Sequence, residues 1–244
     1  MITLSEETKS IITSAVKYCS LVKISSLLID KSGIRAKQDA TAVYLIEPGD
    51  FNFLEFDTLY ITRIESLAPR IKMFESSKKR YDLCIDVKEL DNEDTLVKSL
   101  TLKNEQTQIS FGCSVLPEKS RLPKKVNDPL FYEFECQKES LDVLSKGISA
   151  MGASLIKIYT DDGGVSCKVK DIESDSLKHT LASEYKYLSK DADEEFEFEY
   201  DFKGLLPLLK EAAQEESKFT IQLTRRGIIR LYINDLSIYI FAEA

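Results

Sequence analysis

Hydrolytic or nucleophilic chemistry at neutral pH needs a base that titrates there, and this sequence holds one histidine, His179, in a polar stretch running to Asp193. That stretch reads as an exposed loop, which leaves the imidazole in water. Divalent-metal chemistry needs converging carboxylates. The runs Asp91-Asn-Glu-Asp94 and Asp191-Ala-Asp-Glu-Glu195 have the donor types, but adjacent acids on polar segments are more often solvated than ligating. The five cysteines, Cys19, Cys84, Cys113, Cys136 and Cys167, include no CxxC pair and sit at apolar positions, so they read as free buried thiols rather than disulfides or zinc ligands. No GxxxxGK[ST], GxGxxG or HExxH occurs. The expectation is a protein with no catalytic residue, no metal and no cofactor.

Lysines and arginines remain as candidates. The chain carries 33 of them against 41 acids, a formal charge of −8. An acidic total opposes phosphate binding only if the charge is spread evenly; a protein surrounding a polyanion needs cations on one surface alone. In the helix read from Ser5 to about Tyr18, steps of about 100° gather Ile11, Ile12, Ala15, Val16 and Cys19 on one face. Lys17, Ser10, Thr13 and Ser14 fall opposite, with Lys9 on the flank. The same construction after Asp57 exposes Arg63, Ser66 and Arg70, and in the second half Lys146 and Lys210. Glu6, Glu65 and Asp142 share or border these faces, where acids in a first turn favour the helix dipole.

The elements that position these side chains recur. The apolar set of the first helix returns as Val143, Leu144, Gly147, Ile148 and Met151, displaced by 132 positions. Leu54-Glu-Phe-Asp-Thr-Leu-Tyr-Ile-Thr-Arg-Ile64 matches Phe198-Glu-Tyr-Asp-Phe-Lys-Gly-Leu-Leu-Pro-Leu208, displaced by 144, with Asp57 and Asp201 as equivalent N-cap candidates and Pro207 near a first helical turn. The difference of 12 predicts an insertion in the second half, at His179 to Asp193. Strand signals fill the intervals, above all the strict alternation of Glu195-Phe-Glu-Phe-Glu-Tyr200. Turns stand at Lys31-Ser-Gly33 and Asp161-Asp-Gly-Gly164. Three prolines and four basic residues make 116–129 an extended linker between residues 1–115 and 130–244. Each half is antiparallel sheet with two helices on one side, an α+β duplication. No stretch approaches the roughly 18 apolar residues of a membrane span, so no membrane partner is expected and the protein is placed in the cytoplasm.

At these residues the sequence resembles the PCNA-like DNA sliding clamps, most closely those of T4-like phages. The opening Leu4-Ser-Glu-Glu-Thr8 before an amphipathic helix is similar to the phage start. Gly33-Ile-Arg-Ala-Lys-Gln-Asp39-Ala-Thr41-Ala-Val43-Tyr-Leu45 resembles the family's Gly followed by Asp-x-Ser/Thr-x-Val-x-Leu, one residue shorter between Gly and Asp, and Tyr239-Ile-Phe-Ala242 its closing strand. The resemblance implies duplicated clamp domains with sheets outside and two helices per domain lining a ring, a homotrimer around double-stranded DNA. It implies a replicative DNA polymerase as partner and a separate ATP-dependent clamp loader, in the cytoplasm of a host cell if the source is viral, with replicating DNA. The inward cations would be Lys9, Lys17, Arg63, Arg70, Lys146 and Lys210; Val43, Leu45, Leu122, Val126, Ile240 and Ala242 would form the groove for partner peptides. Residues 108–115 would pair with 183–188 of the next copy. Two other functions compete: a clamp-fold scaffold that never surrounds DNA, and a metal-dependent nuclease built on the acidic runs.

Overall fold

The computed structural model describes residues 1–37, 43–48, 51–77, 79–89, 95–115, 128–170, 175–190, 195–215, 218–233 and 236–242. The chain divides into two units, Met1–Gln38 with Leu45–Lys125 and Asp39–Tyr44 with Val126–Ala244. The units change over after Lys125 and again around 39–44, which groups with the second unit; 116–127 lies outside the described residues.

The first set of elements runs β1 (Ile2–Thr3), α1 (Glu6–Leu21), β2 (Ser26–Asp30), β3 (Gly33–Lys37), β4 (Val43–Pro48), β5 (Thr58–Thr62), α2 (Ile64–Ser76), β6 (Asp82–Glu89), β7 (Thr95–Lys103) and β8 (Gln108–Gly112). The second runs β9 (Leu130–Gln137), α3 (Lys138–Met151), β10 (Leu155–Asp161), β11 (Gly164–Lys170), β12 (Ser176–Ala182), β13 (Lys186–Tyr187), β14 (Glu197–Asp201), α4 (Phe202–Glu215), β15 (Lys218–Thr224), β16 (Ile229–Ile233) and β17 (Leu236–Ile240). Apart from β13 the two sets follow one order.

Their pairing recurs as well. In the first unit β1, β6, β7 and β8 are successive antiparallel neighbours, and β5, β2 and β3 are another antiparallel run. A parallel bridge from Thr58 to Leu96 joins the two runs. In the second unit β9, β15, β16 and β17 repeat the first run, and β14, β10 and β11 repeat the second, extended by β12. The two-residue β13 lies on β9. The alternation predicted for 195–200 holds: Phe196 and Tyr200 are buried, while Glu197 and Glu199 turn outward to Lys157. Each unit closes its own core. Ile12, Val16, Leu59, Ile61 and Leu67 fill the first, and Leu144, Ile158, Tyr200, Leu208 and Leu223 the second. Each such side chain contributes about 1.5–3 kcal/mol by leaving water.

The first-helix spacing is as expected, since α1 begins at Glu6 and α3 at Lys138, 132 positions on. The second-helix spacing is not. α2 begins at Ile64 and α4 at Phe202, 138 positions on, and Pro69 and Pro207 occupy the same sixth place in each. The match of Asp57 to Asp201 was therefore six residues out: Asp57 precedes the strand β5, and Asp201 ends the strand β14. A strand alternates with period two, so an even slip preserves which residues face inward, and local pattern cannot choose between the registers. Pro207 lies in the second turn, not the first. Nor does Asp57 cap a helix: its carboxylate accepts the backbone N–H and hydroxyl of Thr95 at 2.7 and 2.8 Å and pairs with Lys31 at 2.5 Å. The residue before α2 is Arg63, in the left-handed conformation with no side-chain cap bond.

Candidate nucleic-acid interface

In the first unit α1 packs beside α2, and in the second α3 beside α4. Ser5 opens α1 in extended conformation, its hydroxyl accepting from the Thr8 N–H at 3.2 Å. Glu55 braces the same turn, accepting from the Ser5 N–H and the Thr8 hydroxyl at 2.8 Å each. With Ile12, Ala15, Val16 and Cys19 buried, Lys17 emerges on the exposed face, its ammonium 5.9 Å from the centre of the Tyr18 ring.

Lys9 is placed otherwise. Its side chain is 14% exposed, and the ammonium donates to Glu6 at 2.9 Å and to the Tyr81 carbonyl at 2.8 Å, 4.3 Å above the Tyr81 ring. Burial pushes the Tyr81 phenol up to about 12, so that ring stays neutral beneath the cation. Lys9 ties α1 to the start of β6, its ammonium turned to Glu6 and Tyr81 rather than to open solvent.

Arg63 and Arg70 also lean inward. Their guanidinium carbons stand 5.0 and 5.6 Å from the centre of the buried Phe111 ring on β8, and Arg63 donates to the Gly112 carbonyl at 3.4 Å. Arg63 stays exposed and Arg70 half-buried. Within α2 the exposed cation is Lys72, a residue absent from the set expected from the sequence. Lys72 and Lys210 are 138 positions apart, the same ninth place in α2 and α4, and both are exposed. The prolines three positions earlier carry this signal in the sequence; the six-residue slip concealed it.

On α3 Leu141, Leu144 and Ile148 are buried and Lys146 is exposed. Gly152, left-handed at φ 63°, ends the helix. Glu6 and Glu7 lie in the first turn of α1, Glu65 in that of α2 and Glu139 in that of α3. The lysines follow later, Lys72 and Lys146 seven residues after their acids and so about 10 Å along the axis. The first turns of α1, α2 and α3 thus hold acids where the dipole favours them, with a lysine further along, whereas α4 has no acid in its first turn. Such mobile ammonium groups attract phosphates without reading bases.

For the expected peptide groove the side chains of Val43 and Leu45, and all of Leu122 and Val126, lie outside the described residues. Ile240 is 2% exposed and opposite Ile229, a core position, while Ala242 is half-buried beyond β17.

The groups that suggested enzymatic chemistry are structural where described. His179 is not in a loop: it lies on β12 opposite Cys167, half-buried between Leu177 and Leu181 in strand alternation, and its carbonyl accepts from the Cys167 thiol at 3.3 Å. Asp91–Asp94 and 191–194 lie outside the described residues. Among the described residues no three His, Cys, Asp or Glu side chains gather to hold a metal ion. The five cysteines are free thiols; burial pushes Cys113, Cys136 and Cys167 up to about 12 and Cys19 higher still.

β8 pairs with β7, and β12 with β11, on one side only among the described residues. Residues 183–188, expected to offer the second unit's open strand, contain only β13, already paired to β9 through Glu133 and Tyr132. The longer open edge is β12.

No protein-family model and no curated protein sequence matches the chain. Among solved structures it is similar to proliferating cellular nuclear antigen from Entamoeba histolytica, at a TM-score of 0.61 and 14% identity over 96% of each chain. It is also similar to a chain of the PCNA2–PCNA3 complex from Sulfolobus tokodaii, at 0.60 and 11% over 99% of this chain and 98% of that one. The fold is therefore the PCNA-like clamp fold, α+β and duplicated.

Proposed function

We propose that this chain is a DNA sliding clamp, a processivity factor whose copies join head to tail into a ring around duplex DNA and tether a replicative polymerase. The observation that carries the proposal is the equivalence of Lys72 and Lys210, exposed at one place on the second helix of two units with the same order of elements. Lys17 and Lys146 stand on the first helices. A duplicated unit that repeats its cations as well as its core suits a polyanion passed along many equivalent surfaces.

Two units per chain suit a homotrimer of six units, closed by adding the open β8 of one copy to the open β12 of the next. The partner in the S. tokodaii complex is another clamp chain, which favours self-association here. The ring itself does no chemistry: phosphates are held through water by long side chains, retention is topological, and loading requires an external ATP-driven loader. Polymerase and other partners would dock short peptides in the groove assigned to Val43, Leu45, Leu122, Val126 and Ala242, with the buried Ile240 supporting it from the core. The likeness of the opening segment to T4-like phage clamps favours a phage replisome in a host cytoplasm.

The test is the solution mass of the chain with and without a nicked circular DNA, followed by linearisation. A trimer retained on circular DNA and lost on cutting supports the clamp; a monomer that binds partners without DNA supports a scaffold of the same fold.

A further inference from the structure

The second unit holds a recess of about 580 Å³ at the C-terminal end of β12. Its walls are the end of β12 from Thr180 to Ala182, the edge of β9 from Glu133 to Gln137, and the segment 183–186. Beyond Glu133 that edge of β9 has no strand partner among the described residues, because β13 pairs only with Tyr132 and Glu133. Three carboxylates line the recess, Glu133, Glu135 and Glu184, against one cation, Lys186, which stands 3.4 Å from Glu133. Glu184 is exposed.

The first unit carries a projection of opposite charge. β7 and β8 are joined by a turn at 104–107, closed by the Asn104 N–H to the Thr107 carbonyl at 2.9 Å and stiffened by the Asn104 side chain accepting from the N–H groups of Gln106 and Thr107. Lys103 is exposed at its base, and Lys79 reaches it through a 2.9 Å bond to Gln106. Glu105 is the one acid in the turn. The opposite end of β8 is held down, since Ser114 donates to Tyr60, Cys113 to Lys98, and the Ser114 hydroxyl meets that of Thr62 at 2.8 Å. In the turn itself Glu105, Gln106 and Thr107 are exposed.

We propose that the recess at the end of β12 seats the 104–107 turn of a second copy, with Lys103 and Lys79 of one copy facing Glu184 and Glu133 of the next. The assignment rests on the head-to-tail reading above. It fixes that contact's polarity, because antiparallel addition of β8 to β12 is what brings the turn, rather than the tethered end, to the acidic walls. Electrostatic complementarity of this kind sets register and suppresses misdocking more than it adds affinity.

The experiment is the assembly midpoint of the full chain by sedimentation, at low and high salt, for the wild type, Lys103→Glu, Glu184→Lys and the double exchange. Both single reversals are expected to raise the midpoint about tenfold at low salt and less at high salt, and the double exchange to restore it to within about threefold. Glu105→Lys is expected to lower the midpoint. Unchanged midpoints in the single reversals, or a double exchange no better than either single, overturn the seat. Unaltered thermal unfolding of each monomer shows that folding is intact. Ser110→Pro in β8 separates the two ideas: an assembly that it abolishes but the reversals do not touch leaves the ring standing and removes the recess, whereas a wild type that never assembles removes both.

Discussion

The hydroxyl of Tyr200, fully buried on β14, donates to the carbonyl of Gly227 at 2.6 Å in the turn between β15 and β16. One bond thereby ties the two runs of strands in the second unit. Burial pushes the phenol well above its ordinary value, which favours the neutral hydroxyl that donates this bond.

Tyr200→Phe should cost about 1–3 kcal/mol, because it strands a buried carbonyl without water. Gly227→Ala should cost more: φ there is +77°, and an added Cβ would lie 2.3 Å from the Phe198 ring. Urea unfolding of the two variants checks the order; a Gly227→Ala protein as stable as the wild type would contradict it.

Asp57 carries the clearest pH signature. The hydrogen bond from Lys31 first, then those from the Thr95 backbone and hydroxyl, lower its pKa from 3.8 to about 2. A depressed carboxylate contributes stability that is fully present above its unfolded value, and that stability is lost as pH falls from about 4 towards 2. Discounted for the exposure of Lys31, the contribution is about 1 kcal/mol. Asp57→Asn should remove that part of the acid dependence and leave the neutral-pH melting lower by the same order, measured by thermal unfolding between pH 2 and 6.

The helix cations separate into two groups with different readouts. Reversing Lys17, Lys72, Lys146 and Lys210 to Glu should weaken DNA association by at least about tenfold at low salt and flatten its salt dependence, while the assembled mass is unchanged. Arg63→Ala with Arg70→Ala should instead loosen the packing over Phe111 and affect β8, seen as faster amide exchange at residues 108–112. If the arginine pair alone governs salt-dependent DNA binding, the assignment of the outward face of α2 to Lys72 is wrong.

Gly147 lies within α3 where an added Cβ would come 2.1 Å from the end of the Leu177 side chain on β12. Alanine raises helix propensity by about 1 kcal/mol, but overpacking costs about 1–3 kcal/mol, relieved in part because Leu177 is half-buried and can swing. Gly147→Ala should therefore change monomer stability by less than about 1 kcal/mol while displacing the open edge of β12. Weaker assembly with an unaltered melting temperature is the expected pair of results.

Much of this architecture was legible along the chain. The amphipathic helices were, because burial of Ile12, Val16, Leu144 and Ile148 at helical spacing writes their faces into the order of residues. So were the alternating strand at 195–200 and the displacement of 132, since both are local periods. The displacement of the second helices was misread, although Pro69 and Pro207 marked it, because a period-two pattern survives an even slip. His179 was misplaced because three polar neighbours hide an alternation whose inward side, Leu177 and Leu181, becomes meaningful only when β11 pairs with it.

Local order thus settles which residues can share a face: an apolar period has one cheapest way to leave water, and that is decided within a few turns of chain. Which cations remain available to a ligand is settled by residues far apart in sequence. Lys9 is turned to Tyr81, Arg70 is half-buried beside Phe111, Arg63 stays exposed but leans on the same ring, and Lys72 is left exposed, because distant rings and carbonyls brought together by the fold compete with solvent for each charged side chain.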